Sequence, residues 1–236
     1  MRDGVIGVIP ARWDSVRFPG KALATILGRP MLQHVYEAAR ACRLINQILI
    51  ATDDERIATA AENFGARVVM TSREHCSGTD RVAEAVSNVA RSFVVNIQGD
   101  EPLLRSESID KLVSEMTSDP TVEMATLACR IADETDLASP SCAKVVLDKK
   151  ENALYFSRSR IPYVVGDRPF DFYRHIGVYG YRRDVLDAYL TCPPSPLEIA
   201  EGLEQLRALE QGFRIRVIRV DGWGPGVDTP EDIERV

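Results

Sequence analysis

Four nearly unbroken apolar runs, Gly4–Ile9, Gln47–Thr52, Ala66–Met70 and Phe93–Ile97, mark out the first half of the chain. Between them lie helical patterns at about Met31–Cys42, Asp54–Phe64 and Thr79–Ala90. Strands this apolar are expected where helices cover both sheet faces. Helix–strand alternation of this kind predicts a parallel, doubly wound sheet. Gly65 stands where a C-terminal stop for the second helix belongs.

After Asp100 the pattern changes. A helix near Ser106–Thr117 leads to short strands near Glu123–Ile131, Ala143–Asp148, Ala153–Phe156 and Ile176–Tyr181. Short strands in succession predict an antiparallel extension, at about 120–182. A helix near Arg182–Leu190 follows. Ser195, Pro196 and Glu198 read as N-cap, N1 and N3 of a helix running to about Glu210, with Gly212 ending it. Arg214–Val220 is a last strand, and Thr229-Pro230-Glu231-Asp232 opens a final helix. The expectation is an α/β fold, a mixed and mostly parallel sheet with a small antiparallel extension, in a single domain over 1–236.

Composition narrows the function without naming it. The chain has 236 residues, 45% apolar and 27% charged, ordinary for a globular protein. A net charge of −6 argues against a general nucleic-acid binder. No apolar stretch approaches a membrane span of about 18 residues, and the start lacks the features of a signal peptide. The five cysteines (42, 76, 129, 142 and 192) are scattered without a C-x-x-C, so reduced thiols in a cytoplasmic protein are expected rather than a disulfide frame or zinc site.

The candidate chemistry begins where the first strand ends. Pro10-Ala11-Arg12-Trp13-Asp14-Ser15-Val16-Arg17-Phe18-Pro19-Gly20-Lys21 is a basic loop at a strand's carboxyl end, where ligands of open α/β sheets bind. Arg12, Arg17 and Lys21 suit a polyphosphate or carboxylate; a solvated surface loop is the plain alternative. The loop fits neither G-x-G-x-x-G nor the P-loop pattern, which weakens dehydrogenase and P-loop kinase readings. Asn96-Ile97-Gln98-Gly99-Asp100-Glu101-Pro102 places Asp100 at another strand end. It reads equally as a Gly-Asp turn or as a Mg²⁺ ligand beside phosphates. In Val227-Asp228-Thr229-Pro230-Glu231-Asp232, Thr229 and Asp232 suffice for the cap, which leaves Asp228 as a candidate second metal carboxylate. Ser77-Gly78-Thr79-Asp80-Arg81 resembles a capping box; that explains Ser77 but not Arg81, one turn along the same face. Tyr155-Phe156-Ser157-Arg158, the stretch from Arg174 to Tyr181, and Glu204-Gln205-Leu206-Arg207 mix polar and aromatic residues as a polyol site would. Singly, Tyr155 and Tyr179 suit a core, His175 a structural hydrogen bond, and Glu204 with Arg207 a helix-surface pair.

Taken together and in order, with Ala51-Thr52-Asp53 added, these motifs resemble the CMP-Kdo synthetases, the 3-deoxy-manno-octulosonate cytidylyltransferases, from Ile6 to Val236. The resemblance implies a nucleotidyltransferase fold of the glycosyltransferase-A type and a homodimer, with the extension at 120–182 as a dimer contact. It implies the reaction of CTP with Kdo to CMP-Kdo and pyrophosphate, with Mg²⁺, in the cytoplasm and for lipopolysaccharide biosynthesis. By motif, Ala11, Arg12 and Lys21 would hold CTP. Ser77, Arg81 and Gln98 would surround cytosine, and Asp100 and Asp228 would bind Mg²⁺. Arg12, Lys21, Asp100 and Asp228 would be the catalytic group. Arg17, Arg158, His175, Tyr179, Glu204 and Gln205 would line the sugar site. No residue stands out as a general base. Arg160 departs from the smaller or Pro residue expected there, which keeps an 8-amino sugar open as acceptor. The sialic-acid enzymes match the later motifs less well. A non-catalytic nucleotide-binding regulator on the same fold is the rival from another class, although both Asp100 and Asp228 are present.

Overall fold

The computed structural model describes residues 4–15, 17–75, 77–166, 168–224 and 226–236; Val16 and Cys76 of the motifs above lie outside them. The chain divides into two compact units, one of residues 1–113 with 223–236 and one of residues 114–222.

The first unit is built on parallel strands. β1 (Val5–Ala11) is followed by a hairpin of β2 (Thr25–Ile26) and β3 (Arg29–Pro30), then α1 (Met31–Arg40) and β4 (Gln47–Thr52). α2 (Glu55–Asn63), β5 (Arg67–Met70), α3 (Gly78–Val86), β6 (Phe93–Asn96) and α4 (Ser106–Ser118), the helix at which the units divide, come next. β1 pairs in parallel with both β4 and β6, and β4 with β5. β1 lies between two neighbours, and Ile6, Val8 and Ile9 are completely buried. That is why its sequence shows no polar alternation. The helices start as their sequences direct. Asp54 caps α2, accepting from Arg56 N, and Ser77 and Asp80 form the expected capping box of α3. α3 ends at Val86, four residues before the expected Ala90.

The second unit mixes strand directions. β7 (Met124–Arg130), α5 (Glu134–Ala138), β8 (Lys144–Leu147), β9 (Ala153–Ser157) and β10 (Tyr173–Arg182) are followed by α6 (Arg183–Leu190), α7 (Pro196–Glu201), α8 (Gln205–Glu210) and β11 (Ile215–Val220). β10 pairs antiparallel with β7 and β8, β8 antiparallel with β9, and β11 parallel with β7. The fold is thus α/β, with mostly parallel pairing and an antiparallel portion.

Two expectations are corrected. The single helix from Pro196 to Glu210 is broken in two. Gly202 adopts φ 60°, ψ 40° and closes α7, a left-handed geometry that glycine takes without steric cost. The final segment, Pro230–Arg235, is a 3₁₀ helix. Among the described residues no helix is long and apolar enough to cross a membrane, and Cys42, Cys142 and Cys192 carry free thiols.

Candidate active site

In the first unit, three segments far apart in sequence meet. Lys21 donates from Nζ to Asp100 Oδ2 at 2.5 Å, and its ammonium lies 3.5 Å from Asp228 Oδ1. The Val227 carbonyl accepts from the same Nζ at 3.3 Å. Arg17 Nη2 stands 2.8 Å from Asp228 Oδ1. Two carboxylates thus converge on one ammonium, and a second cation flanks them. Their convergence is enforced by the backbone. Val227 N–H donates to the Asp100 carbonyl at 2.9 Å, and Trp223 Nε1 donates to Glu101 Oε2 at 2.7 Å. Val227 is also anchored in an apolar cluster with Ile26 and Met31, against which Phe18, Ile233 and Val236 pack. Burying a valine side chain is worth about 1.5–3 kcal/mol, so this cluster holds Asp228 and the basic loop to one place. Sequence reasoning missed Trp223, Glu101 and Val227. The signal available was the Gly-rich stretch Asp221-Gly222-Trp223-Gly224 leading to Asp228.

The Asp228 side chain is indeed left over from the helix start. Asp232 Oδ2 accepts from the backbone N–H groups of Asp228 and Thr229, at 3.0 and 2.9 Å, which satisfies donors at the helix start without the Asp228 carboxylate.

The other residues expected to bind nucleotide have different settings. Ala11 is buried and ends β1, while Arg12 just beyond it is exposed. Ser77 Oγ is engaged in its cap, accepting from Asp80 N at 3.1 Å. Gln98 donates to Asn96 Oδ1 at 3.3 Å. Arg81 is buried, at 3% exposure. Its guanidinium donates to Asp53 Oδ2 at 2.8 Å, Thr71 Oγ1 at 2.5 Å and the Ser72 carbonyl at 3.3 Å. It ties the segment after β4 to the segment after β5.

In the second unit the predicted sugar residues sit in a more closed setting. His175 packs edge-on against Phe156, at 5.1 Å between centroids, and beside Tyr179 at 5.3 Å. Its Nε2 lies 3.1 Å from Thr126 Oγ1. Burial, with the nearby Arg174 charge, pushes its imidazole down to about 3. The ring is therefore neutral at physiological pH. Tyr179 stacks on Tyr181 and is held well above the usual phenol range by burial. Glu204 accepts from the Tyr189 hydroxyl, through its carbonyl at 3.1 Å and Oε1 at 3.3 Å. Gln205 is buried and its Nε2 has no partner among the described residues. Arg158 donates to three main-chain carbonyls, Glu201 at 2.8 Å, Pro140 at 2.9 Å and Gly202 at 3.1 Å. A guanidinium carries five N–H groups, so two remain. Arg207 pairs with Glu198, at 2.5 Å. Arg160 lies 3.2 Å from Glu134 and 4.8 Å from the Phe172 ring centroid.

No group of three or more His, Cys, Asp or Glu side chains gathers as a metal cage among the described residues. The Asp100–Asp228 pair still fits Mg²⁺, which is commonly held by one or two carboxylates together with substrate phosphates.

Known proteins share the sequence and the fold. A family profile described as "Cytidylyltransferase" matches residues 6–216. The 3-deoxy-manno-octulosonate cytidylyltransferase of Solibacter usitatus is 52% identical over 234 residues, covering 98% of this chain and 92% of the relative. That of Geobacter sulfurreducens is 49% identical, covering 98% and 97%, and that of Escherichia coli 45%, covering 97% and 93%. A solved CMP:2-keto-3-deoxy-manno-octonic acid synthetase complexed with CTP superposes with a TM-score of 0.94, at 44% identity, covering 98% of this chain and 96% of that one. A putative glucose-1-phosphate thymidylyltransferase from Bacillus anthracis, 17% identical with a TM-score of 0.70, shares the fold. With its sequence matching along nearly the whole length, this chain belongs to the cytidylyltransferase family, among the 3-deoxy-manno-octulosonate cytidylyltransferases.

Proposed function

We propose that this protein transfers CMP from CTP to the anomeric hydroxyl of 3-deoxy-manno-octulosonate, releasing pyrophosphate. The observation that carries the reading is the meeting of Lys21, Asp100 and Asp228, in a chain of this family. Arg12 and Lys21 neutralise the triphosphate, whose charge grows on the departing pyrophosphate. Asp100 and Asp228 hold Mg²⁺, which supplies further charge neutralisation on the phosphates when bound. Ser77 and Gln98 flank the cytosine, with Ala11 at the edge, and Arg81 braces that side through Asp53 and Thr71. On the sugar side, Arg158 has two N–H groups left for a carboxylate, a bidentate match to its planar fork. A buried amide donor without a partner costs about 1–3 kcal/mol. The unpartnered Gln205 Nε2 therefore supports a sugar hydroxyl as its acceptor. His175, Tyr179 and Glu204 complete the sugar-binding part of the second unit, with His175 acting as a neutral hydrogen-bonding ring rather than a proton carrier. Positioning supplies much of the rate.

The working form is a homodimer in the cytoplasm, feeding lipopolysaccharide synthesis. The exposed Tyr163, Val165 and Phe170, at 88%, 69% and 50%, support a dimer contact within 120–182.

Pyrophosphate release tests the reading. With CTP and Mg²⁺, release with Kdo is expected to exceed that with 8-amino-Kdo or N-acetylneuraminate, and ATP, GTP and UTP are expected to fail. Preference for the amino sugar would reassign the acceptor. No release with any acid sugar would overturn the reading.

A further inference from the structure

The loop that carries Arg12 and Lys21 is folded around Trp13. The Trp13 carbonyl accepts N–H groups from Ser15 and Gly20, both at 2.8 Å. Gly20 has φ 71°, and a Cβ there would lie 3.0 Å from Trp13 Cη2 and 3.1 Å from Cζ2. The indole thus packs on bare backbone at the residue before Lys21. The Arg56 guanidinium carbon sits 3.4 Å from the centroid of the Trp13 ring. Arg56 is itself fixed by Asp54, with Nε 2.9 Å from Oδ1 and Nη2 2.6 Å from Oδ2. Asp54 Oδ1 also accepts the Arg56 N–H at 2.9 Å as the cap of α2. A continuous series of contacts runs from the start of α2, through Arg56 and Trp13, to Gly20 and Lys21.

We propose that Arg56 is a positioning residue for the phosphate loop. It acts through Trp13 and presets the backbone that presents Lys21. The proposal rests on the nucleotide reading above and adds a residue outside every motif that led to it. Its physical basis is entropy. A free loop must be ordered when the triphosphate binds, at a cost of about 1–2 kcal/mol per residue fixed. A loop already held avoids part of that cost. Arg56 needs no contact with the nucleotide for this, because its charge is spent on Asp54 and the indole face. The absence of a side chain at Gly20 is part of the device, since φ 71° strains any other residue there and a Cβ would need the indole to give by a few tenths of an ångström.

The test is calorimetric titration of Mg²⁺ and CTP, without acceptor, into the full chain and four variants. Arg56→Ala and Trp13→Ala are each expected to raise the CTP Kd about two- to fivefold, the range of an exposed cation–π contact. The double variant is expected to be no worse than Trp13→Ala alone, because the two residues act in series. Trp13→Phe, which keeps a ring for Arg56, is expected to recover most of the affinity and guards against a folding defect in Trp13→Ala. The KM for the acid sugar is expected to stay unchanged in Arg56→Ala, which a general loss of structure would not spare. An unchanged Kd in Arg56→Ala would overturn the proposal. So would additive losses, since Arg56 would then act without Trp13. If the unaltered protein fails to bind CTP, the nucleotide reading falls, and the proposal with it.

Discussion

The carboxylate–lysine cluster of the first unit and the aromatic cluster of the second hold their polar groups in opposite ways. Lys21, Asp100 and Asp228 form an ion-pair cluster partly open to solvent, brought together by main-chain bonds and the Val227 anchor. His175, Tyr179 and Tyr189 are packed among aromatic rings, and their packing disfavours the charged form of each. The difference matches the two tasks proposed for these clusters. A charged phosphate needs standing charge near it, whereas a polyol needs fixed neutral donors and acceptors whose orientation does not change with pH.

The strongest way to break this comparison is Asp100→Ala. Turnover is expected to fall at least about 10²–10³-fold, the scale of losing one preorganised electrostatic group. His175→Gln is expected to lose far less. Steady-state pyrophosphate release at saturating substrates measures both, and a comparable loss in the two variants would erase the distinction.

A smaller effect concerns the scaffold of the second unit. Arg207 and Glu198 are paired with only 11% and 13% of their side chains exposed. Removing one partner strands the other charge, at a cost of about 3–5 kcal/mol. Arg207→Ala is therefore expected to lower the urea midpoint strongly. Its effect on kcat is expected to be small where the protein remains folded.

A further effect, small at each pH step, sharpens the claim that His175 is neutral. Its folded value lies near 3, below the unfolded value of 6.5. Between those values the unfolded chain binds the proton more readily, so stability is lost as pH falls from about 6.5 towards 3. One proton accounts for a slope of at most about 1.4 kcal/mol per pH unit. Denaturant unfolding of His175→Gln is expected to show a shallower slope over that window. Above pH 7 the two proteins are expected to show the same pH dependence. An unchanged acid slope would mean that His175 is charged in the folded protein.

How much of this was legible in the sequence follows the same division. β1, β4 and β6 were readable because strands covered on both faces carry apolar residues almost throughout. The caps of α3 and α7 were readable because Ser77 with Asp80 and Ser195 with Glu198 act within four residues. The helix break at Gly202 was hidden by good helix formers on either side. The β2–β3 hairpin was hidden because Leu27 takes a left-handed φ of 47° beside Gly28, a conformation a leucine does not advertise. At the site, the types of residue were readable and their meeting was not. Asp100 and Asp228 are joined by Trp223–Glu101 and Val227–Asp100 contacts between distant segments, and no spacing encodes these. The burial of Arg81 was equally hidden, since its partners Asp53 and Thr71 follow two different strands.

The most direct test of the central claim compares Asp228→Asn with Gln205→Ala, following pyrophosphate release at saturating CTP and Mg²⁺ while Kdo is varied. The account predicts a collapse of kcat in Asp228→Asn. It predicts a raised KM for Kdo, with kcat largely kept, in Gln205→Ala. A normal kcat in Asp228→Asn, or a Gln205→Ala protein with an unaltered KM for Kdo, would contradict it.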